Sequence, residues 1–244
     1  MPDLLGSFKE IKAKEQGLYP RDIAKRLGVS ELTLQLALDP ANRLVDRALV
    51  DWPSGLRGLS AGKLVVRSDA LVLEYTDLWE ARADGLYCSA GRALFQADHL
   101  AFIAATGRLR ASLQFYSASG QALAKLFHDD LTIVCEGWPR AQAPDLPSTQ
   151  NPSSALIGQA DLRPRKCIEE AAATGRRLQC GLQFPGMDCA LELGITRTMD
   201  ARGWFNVLDE DFDLHLKEDL IAAVSEMDGG LTLQFVDGSN AFFK

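Results

Sequence analysis

The chain has 244 residues, 47% of them hydrophobic and 24% charged, with a formal net charge of −7. That composition is ordinary for a globular protein of one large or two small domains, with a core big enough to need no disulfide or metal staple. The acidic balance argues against broad electrostatic binding to nucleic acid or to an anionic membrane.

No apolar run reaches the ~18 residues that a membrane span needs. The start, MPDLLGSFKEIKAKEQG, lacks the basic-then-apolar order of a signal peptide. Cys88, Cys135, Cys167, Cys180 and Cys189 are scattered and contain no CxxC pair. Reduced thiols in a cytoplasmic protein are expected, rather than a disulfide frame or a zinc site.

Residues 8–37 read as helices. Pro20 suits the first turn of RDIAKRL, where its missing N–H is not needed, and Ile23, Ala24 and Leu27 form an apolar face. Gly28 breaks that helix and Ser30 can cap the next, ELTLQLAL. This is a helix-turn-helix pattern. SELTLQLA carries no Lys or Arg for phosphates, so a small helical unit packed on a larger body is expected, not a DNA reader.

After Asn42 the texture changes. KLVVR and ALVLEY alternate as strands do. RASLQFYSASGQALAKLF reads as a strand, a Ser/Gly turn, then a second strand or a helix start. APDLPSTQNPSS, with Pro144, Pro147 and Pro152, is a linker or surface loop by composition. Pro164 opens and Gly175 closes a helix, and LQCGLQF and CALELGI resume the strands.

The chain also matches itself at an offset of 120 residues, with eleven identities between 70–115 and 190–235. ALVLEYTDLWEAR lies on ALELGITRTMDAR, and SLQF on TLQF. This implies two tandem copies of one β-rich unit: a helical unit over 1–40, a first repeat over 41–137, a Pro-rich loop over 138–157 and a second repeat over 158–244. Leu191 and Leu193 should share a strand face with Cys189, leaving Glu192 on the other. His215 aligns with Phe95. It reads either as the filler of an aromatic-sized slot or as a ligand contact.

WFNVLDEDFDLHLKED (204–219) resembles a motif of the haemin-degrading HemS/ChuX family, W-L-N-V-L-D-P-D-F-N-L-H-L-R. YPRDIAKRLGVSELTL is similar to that family's N-terminal helical unit, and SLQFYSASGQALAKLF to its S-L-Q-F-F-D-A-x-G-x-A-x-x-K strand and turn. The order of the segments agrees, and longer family members are tandem duplications. The resemblance implies an α+β fold with large antiparallel sheets flanked by helices. It implies haem as ligand, handled in the cytoplasm for iron acquisition by binding, trafficking or ring opening. It also implies a haem-delivering or reductase protein as partner, with a homodimer as one form of assembly.

The family's haem ligand is a histidine in G-C-I-Q-I-H-[ST]-G. Here the matching stretch is Asp188-Cys189-Ala190-Leu191-Glu192-Leu193-Gly194, and the histidine position falls on Leu193. Leucine cannot donate to iron, which takes an imidazole, thiolate, thioether or phenolate. Cys189 and Met187 lie on the same face as substitutes, or are structural. His99 is a pocket histidine or a strand-end surface residue, and His128 is expected in a solvated turn. Arg197, Arg202 and Lys217 are candidates for the haem propionates, or plain surface charges. Lys217 stands at the motif's Arg position and loses the bidentate fork. Ring opening would also need an outside electron donor, because no Rossmann or flavin fingerprint is visible. A module that keeps the fold but binds another apolar ligand is the third reading.

Overall fold

Caps and breakers set the helical start of the chain. A computed structural model gives the fold and describes residues 3–38, 43–46, 61–82, 85–88, 99–103, 112–117, 119–127, 162–184, 187–209, 212–227 and 229–244. Helix α1 (Leu4–Lys14) starts before the expected residue 8 because the Asp3 side chain accepts from the Gly6 amide at 2.8 Å. Helix α2 (Pro20–Leu27) carries Pro20 at its first position and ends on Gly28 at φ 65°, a left-handed value that favours glycine. Ser30 Oγ accepts from the Thr33 amide at 3.0 Å and opens α3 (Glu31–Leu38). Ile23, Ala24 and Leu34 bury the contact between these helices, with Phe8, Ile11 and Leu27 against them.

The chain divides into two compact units, each made of two separated segments: 1–55 with 97–150, and 56–96 with 151–244. The first holds α1–α3 and the strands β1 (Arg43–Asp46), β5 (His99–Ile103), β6 (Ser112–Tyr116) and β7 (Ala122–Phe127). They pair antiparallel in the order β1-β5-β6-β7. The segment after SASG, open between strand and helix in the sequence, is therefore a strand. Helix α3 is tied to this sheet. The Leu32 amide donates to the Gly120 carbonyl at 3.0 Å, and the Ala122 amide to the Glu31 carboxylate at 2.6 Å. Leu32 packs with Tyr116 and Ala122. The flank of the would-be recognition helix is thus spent on its own unit.

The second unit holds β2 (Ala61–Arg67), β3 (Leu71–Arg82), β4 (Gly85–Cys88), α4 (Arg163–Thr174), β8 (Leu178–Phe184) and β9 (Met187–Leu193). It continues with β10 (Thr198–Ala201), β11 (Trp204–Leu208), β12 (Phe212–Leu216), β13 (Ile221–Met227), β14 (Gly230–Phe235) and β15 (Asn240–Phe243). Two antiparallel arrays result. One runs β2-β3-β12-β11-β10, with β4 also on β3. The other runs β13-β14-β15-β8-β9. The architecture is α+β with antiparallel sheets, as the sequence leads one to expect.

The internal repeat is visible in this order. The ladder β13-β14-β15 reproduces β5-β6-β7, with TLQF in β14 and SLQF in β6. The hairpin β8–β9 reproduces β2–β3. The copies differ after Leu193: the first runs through β3 unbroken, while the second leaves the strand at Gly194 and resumes as β10. The compact units interleave along the chain, whereas the repeats succeed one another. Contact and ancestry need not cut a chain at the same places.

Alternation explains the core of the second unit. Leu71, Leu73, Phe205, Val207, Leu214 and Leu216 are buried on one face of the first array. Leu178, Cys180, Leu182, Cys189, Leu191 and Leu193 are buried on one face of the second. Pro164, Ile168 and Ala171 of α4 are also buried. The Asp69 amide donates to the Asp237 carboxylate at 2.8 Å, which ties the β2–β3 turn to the β14–β15 turn. Among the described residues, no helix is long and apolar enough to cross a membrane. The expected Pro-rich loop at 138–157 and His128 lie outside the described residues.

Candidate functional site

WFNVL and FDLHL form the hairpin β11–β12, and strand alternation sorts their side chains. Phe205, Val207, Phe212, Leu214 and Leu216 go to the core. Trp204, Asn206, His215 and Lys217 take the other face. Direct register partners in an antiparallel ladder point the same way. Arg67, Val72, His215, Asn206 and Met199 therefore form one row across β2, β3, β12, β11 and β10.

Asn206 organises this row. It is buried, and its Nδ2 donates to the Trp204 carbonyl at 2.9 Å and to the Met199 carbonyl at 3.1 Å. Its Oδ1 lies 2.7 Å from His215 Nδ1. One residue pair along, the Lys217 ammonium sits 5.9 Å from the centroid of the Trp204 ring. Lys63 and Glu74 form an ion pair on the same face. An imidazole, an indole and cations thus share one half-buried sheet face.

A second cluster surrounds Arg165 on α4. Its Nε and Nη2 donate to the Glu218 carboxylate at 3.0 and 2.6 Å, and its Nη1 and Nη2 to Asp200 at 2.9 and 2.6 Å. The guanidinium lies 4.4 Å from the Phe205 ring centroid. The hydrogen bonds to Glu218, then those to Asp200, push the Arg165 pKa up, so it stays charged. The hydrogen bond from Arg165 holds the Asp200 carboxyl below its ordinary range. This cluster clamps α4 to β10 and to the turn before β13. Its donors are used internally.

The other sequence candidates are dispersed. Cys189 and Leu193 share a face of β9, as expected, and it is the buried one; Glu192 points outward and pairs with Arg177 at 2.7 Å. Arg197 is exposed, its Nη2 3.6 Å from Met199 Sδ. Arg202 and Gly203 form the two-residue β10–β11 turn, with φ of 55° and 78°, the mirror-image turn that suits strand twist. His99 begins β5, in the other compact unit, opposite Asp46 and Tyr116. Among the described residues no group of three or more His, Cys, Asp or Glu is placed to hold a metal ion.

Sequence reasoning singled out His215 and Lys217 but missed Asn206, Trp204 and Arg67. One signal was present: folding WFNVLDEDFDLHL about its Asp/Glu turn sets Asn206 opposite His215. The three partners of Arg165 had no local signal, because they come from 35 and 53 residues away and from Phe205.

Interleaved antiparallel arrays, a helical start and the β11–β12 signature together define a HemS/ChuX-like fold. Solved structures share it along nearly the whole chain. ChuS from Escherichia coli, described as a heme degrading enzyme, matches with a TM-score of 0.73 at 18% identity, over 99% of this chain and 93% of its own. Apo-PhuS from Pseudomonas aeruginosa, described as a heme-binding protein, matches with a TM-score of 0.75 at 19% identity, over the same shares. Holo-PhuS gives 0.73. No family model and no curated protein sequence matches the chain.

Proposed function

We propose that this chain binds haem as cargo, in cytoplasmic trafficking or utilisation for iron acquisition, without an axial ligand from β9. The observation that carries the reading is the likeness over 99% of the chain to ChuS and PhuS, a heme degrading enzyme and a heme-binding protein. The β11–β12 motif, which resembles the family's, supports it independently of the fold.

The donor chemistry decides which part of the family's activity to transfer. Haem iron takes an imidazole, thiolate, thioether or phenolate. Leu193 offers hydrocarbon, and Cys189 on the same face is fully buried. The residues of β9 therefore do not fit a haem iron. The outer face of β11–β12 does fit a haem: it offers the His215 imidazole, the Trp204 indole and the Lys217 ammonium, with Arg202 at the end of the neighbouring turn. Arg197 and Arg202 join Lys217 as partners for the propionates. His99 is a further histidine to test as a donor. Binding is favoured over ring opening, which would need a reductase partner as well as coordinated iron. A haem-delivering protein and a homodimer accompany this reading.

A second reading has one observation in its favour. Burial of Leu193 at the family's ligand position suits a module that keeps the fold and holds another apolar ligand. Haemin titration of the purified protein, followed at the Soret band with Cys189→Ala and His99→Ala alongside, separates the two. A sharp, saturable one-to-one shift supports haem binding. A weak, non-saturating change identical in all three proteins would replace it with the second reading.

A further inference from the structure

We infer that Asn206 is a positioning residue that locks His215 in its Nδ1–H tautomer, so that His215 Nε2 is the axial donor to haem iron in this chain. The inference rests on the haem-binding reading above and names the donor that β9 does not supply.

The argument is one of hydrogen counting. The Asn206 amide nitrogen has two hydrogens, and both are used, on the carbonyls of Trp204 and Met199. Carbonyl oxygens only accept, so the amide cannot be turned over. The atom facing His215 is then Oδ1, which also only accepts. At 2.7 Å it takes its hydrogen from His215 Nδ1. A neutral ring with its proton on Nδ1 leaves the lone pair on Nε2.

Metal-binding imidazoles are held this way: one nitrogen donates to a fixed oxygen and the other is left basic and aimed. Here Nε2 makes no hydrogen bond among the described residues, and the ring is only partly buried. The surroundings suit a flat apolar diacid. Trp204 supplies an aromatic wall, and Lys217 lies two residues along the same face. Arg67 stands two strands away, about 10 Å at ordinary strand spacing.

The test has two parts. In the protein without haem, a two-bond ¹H–¹⁵N spectrum of His215 should show the Nδ1–H form; an Nε2–H form overturns the inference. Haemin titrations then compare the wild type with His215→Gln, Asn206→Leu and Asn206→Asp, each checked for wild-type far-UV circular dichroism. His215→Gln should lose the saturable Soret shift, and imidazole added to His215→Gly should restore it. Asn206→Leu should weaken binding about 10- to 100-fold, while Asn206→Asp, which keeps an acceptor for Nδ1 but sets a carboxylate oxygen against the Trp204 and Met199 carbonyls, should bind more tightly than Asn206→Leu and less tightly than wild type. Wild-type haemin binding by a folded His215→Gln overturns the assignment and leaves haem binding standing. A wild type that shows no saturable shift overturns both.

Discussion

Leu193 stands directly opposite Leu178 in the β8–β9 ladder, and both side chains are buried in the core of the second unit. The position that holds a ligand histidine in the resembled motif is here a packing position. Leu193→His would bury an imidazole on the face shared with Leu178 and Leu191, whose hydrocarbon offers its ring nitrogens no partner. The variant should lose about 2–4 kcal/mol of stability to urea, and its haemin titration should not improve. A variant of wild-type stability that binds haemin more tightly would show that this face of β9 meets a ligand after all.

The Arg165 cluster predicts an order of effects. Arg165→Met removes a bidentate contact to Glu218, another to Asp200, and the cation over Phe205. Urea denaturation should register a loss of about 2 kcal/mol, the range for charge-assisted bonds at a partly covered site. Glu218→Gln should fall closer to this value than Asp200→Asn, because the Glu218 side chain is 14% exposed and that of Asp200 66%. If Asp200→Asn proved the most damaging of the three, the clamp would lie elsewhere.

Most of the fold could be read from short-range patterns. Pro20, Gly28, Ser30, Pro164 and Gly175 marked helix ends through local backbone chemistry, and alternation in KLVVR and CALEL gave strands and faces. What lay beyond reach depended on pairing. Nothing local shows that 56–96 groups with 151–244, or that β3 borders β12, because strand partners are chosen across the whole chain. The same limit hid the site. His215 was visible as a residue, but its state depends on Asn206, and the state of Asn206 depends on two carbonyls that only the β10–β11–β12 register brings near. Leu193 was legible as a departure from the resembled motif. Its burial shows why a histidine placed there should not create a ligand.

The Asp200 carboxyl gives a pH test. Its folded-state pKa is held below the ordinary carboxylate value by the hydrogen bond from Arg165. A depressed carboxylate contributes stability above its unfolded pKa, and loses that contribution as pH falls through the folded value. The stability gap between wild type and Asp200→Asn should therefore hold steady from neutral pH down to the ordinary Asp range, near pH ~4. It should close at more acid pH. Urea midpoints at pH 7, 5 and 3 would check it. A gap that persists unchanged at pH 3 would trace the effect to something other than the ion pair.

Thiol reactivity tests whether the face of β9 is as closed as its packing implies. Cys180 and Cys189 are fully buried, and burial pushes the Cys180 thiol well up. Cys167 on α4 is half-buried, and its thiol is also raised, first by burial, so it should label slowly rather than not at all. Reactivity follows thiolate and access together. Under native conditions a maleimide, mapped by peptide mass spectrometry, should modify Cys167 well before Cys180 or Cys189. Those two should label only in denaturant, and haemin should leave their rates unchanged. Protection of Cys189 by haemin, against a measurable native rate without it, would return the cysteine to the list of iron donors.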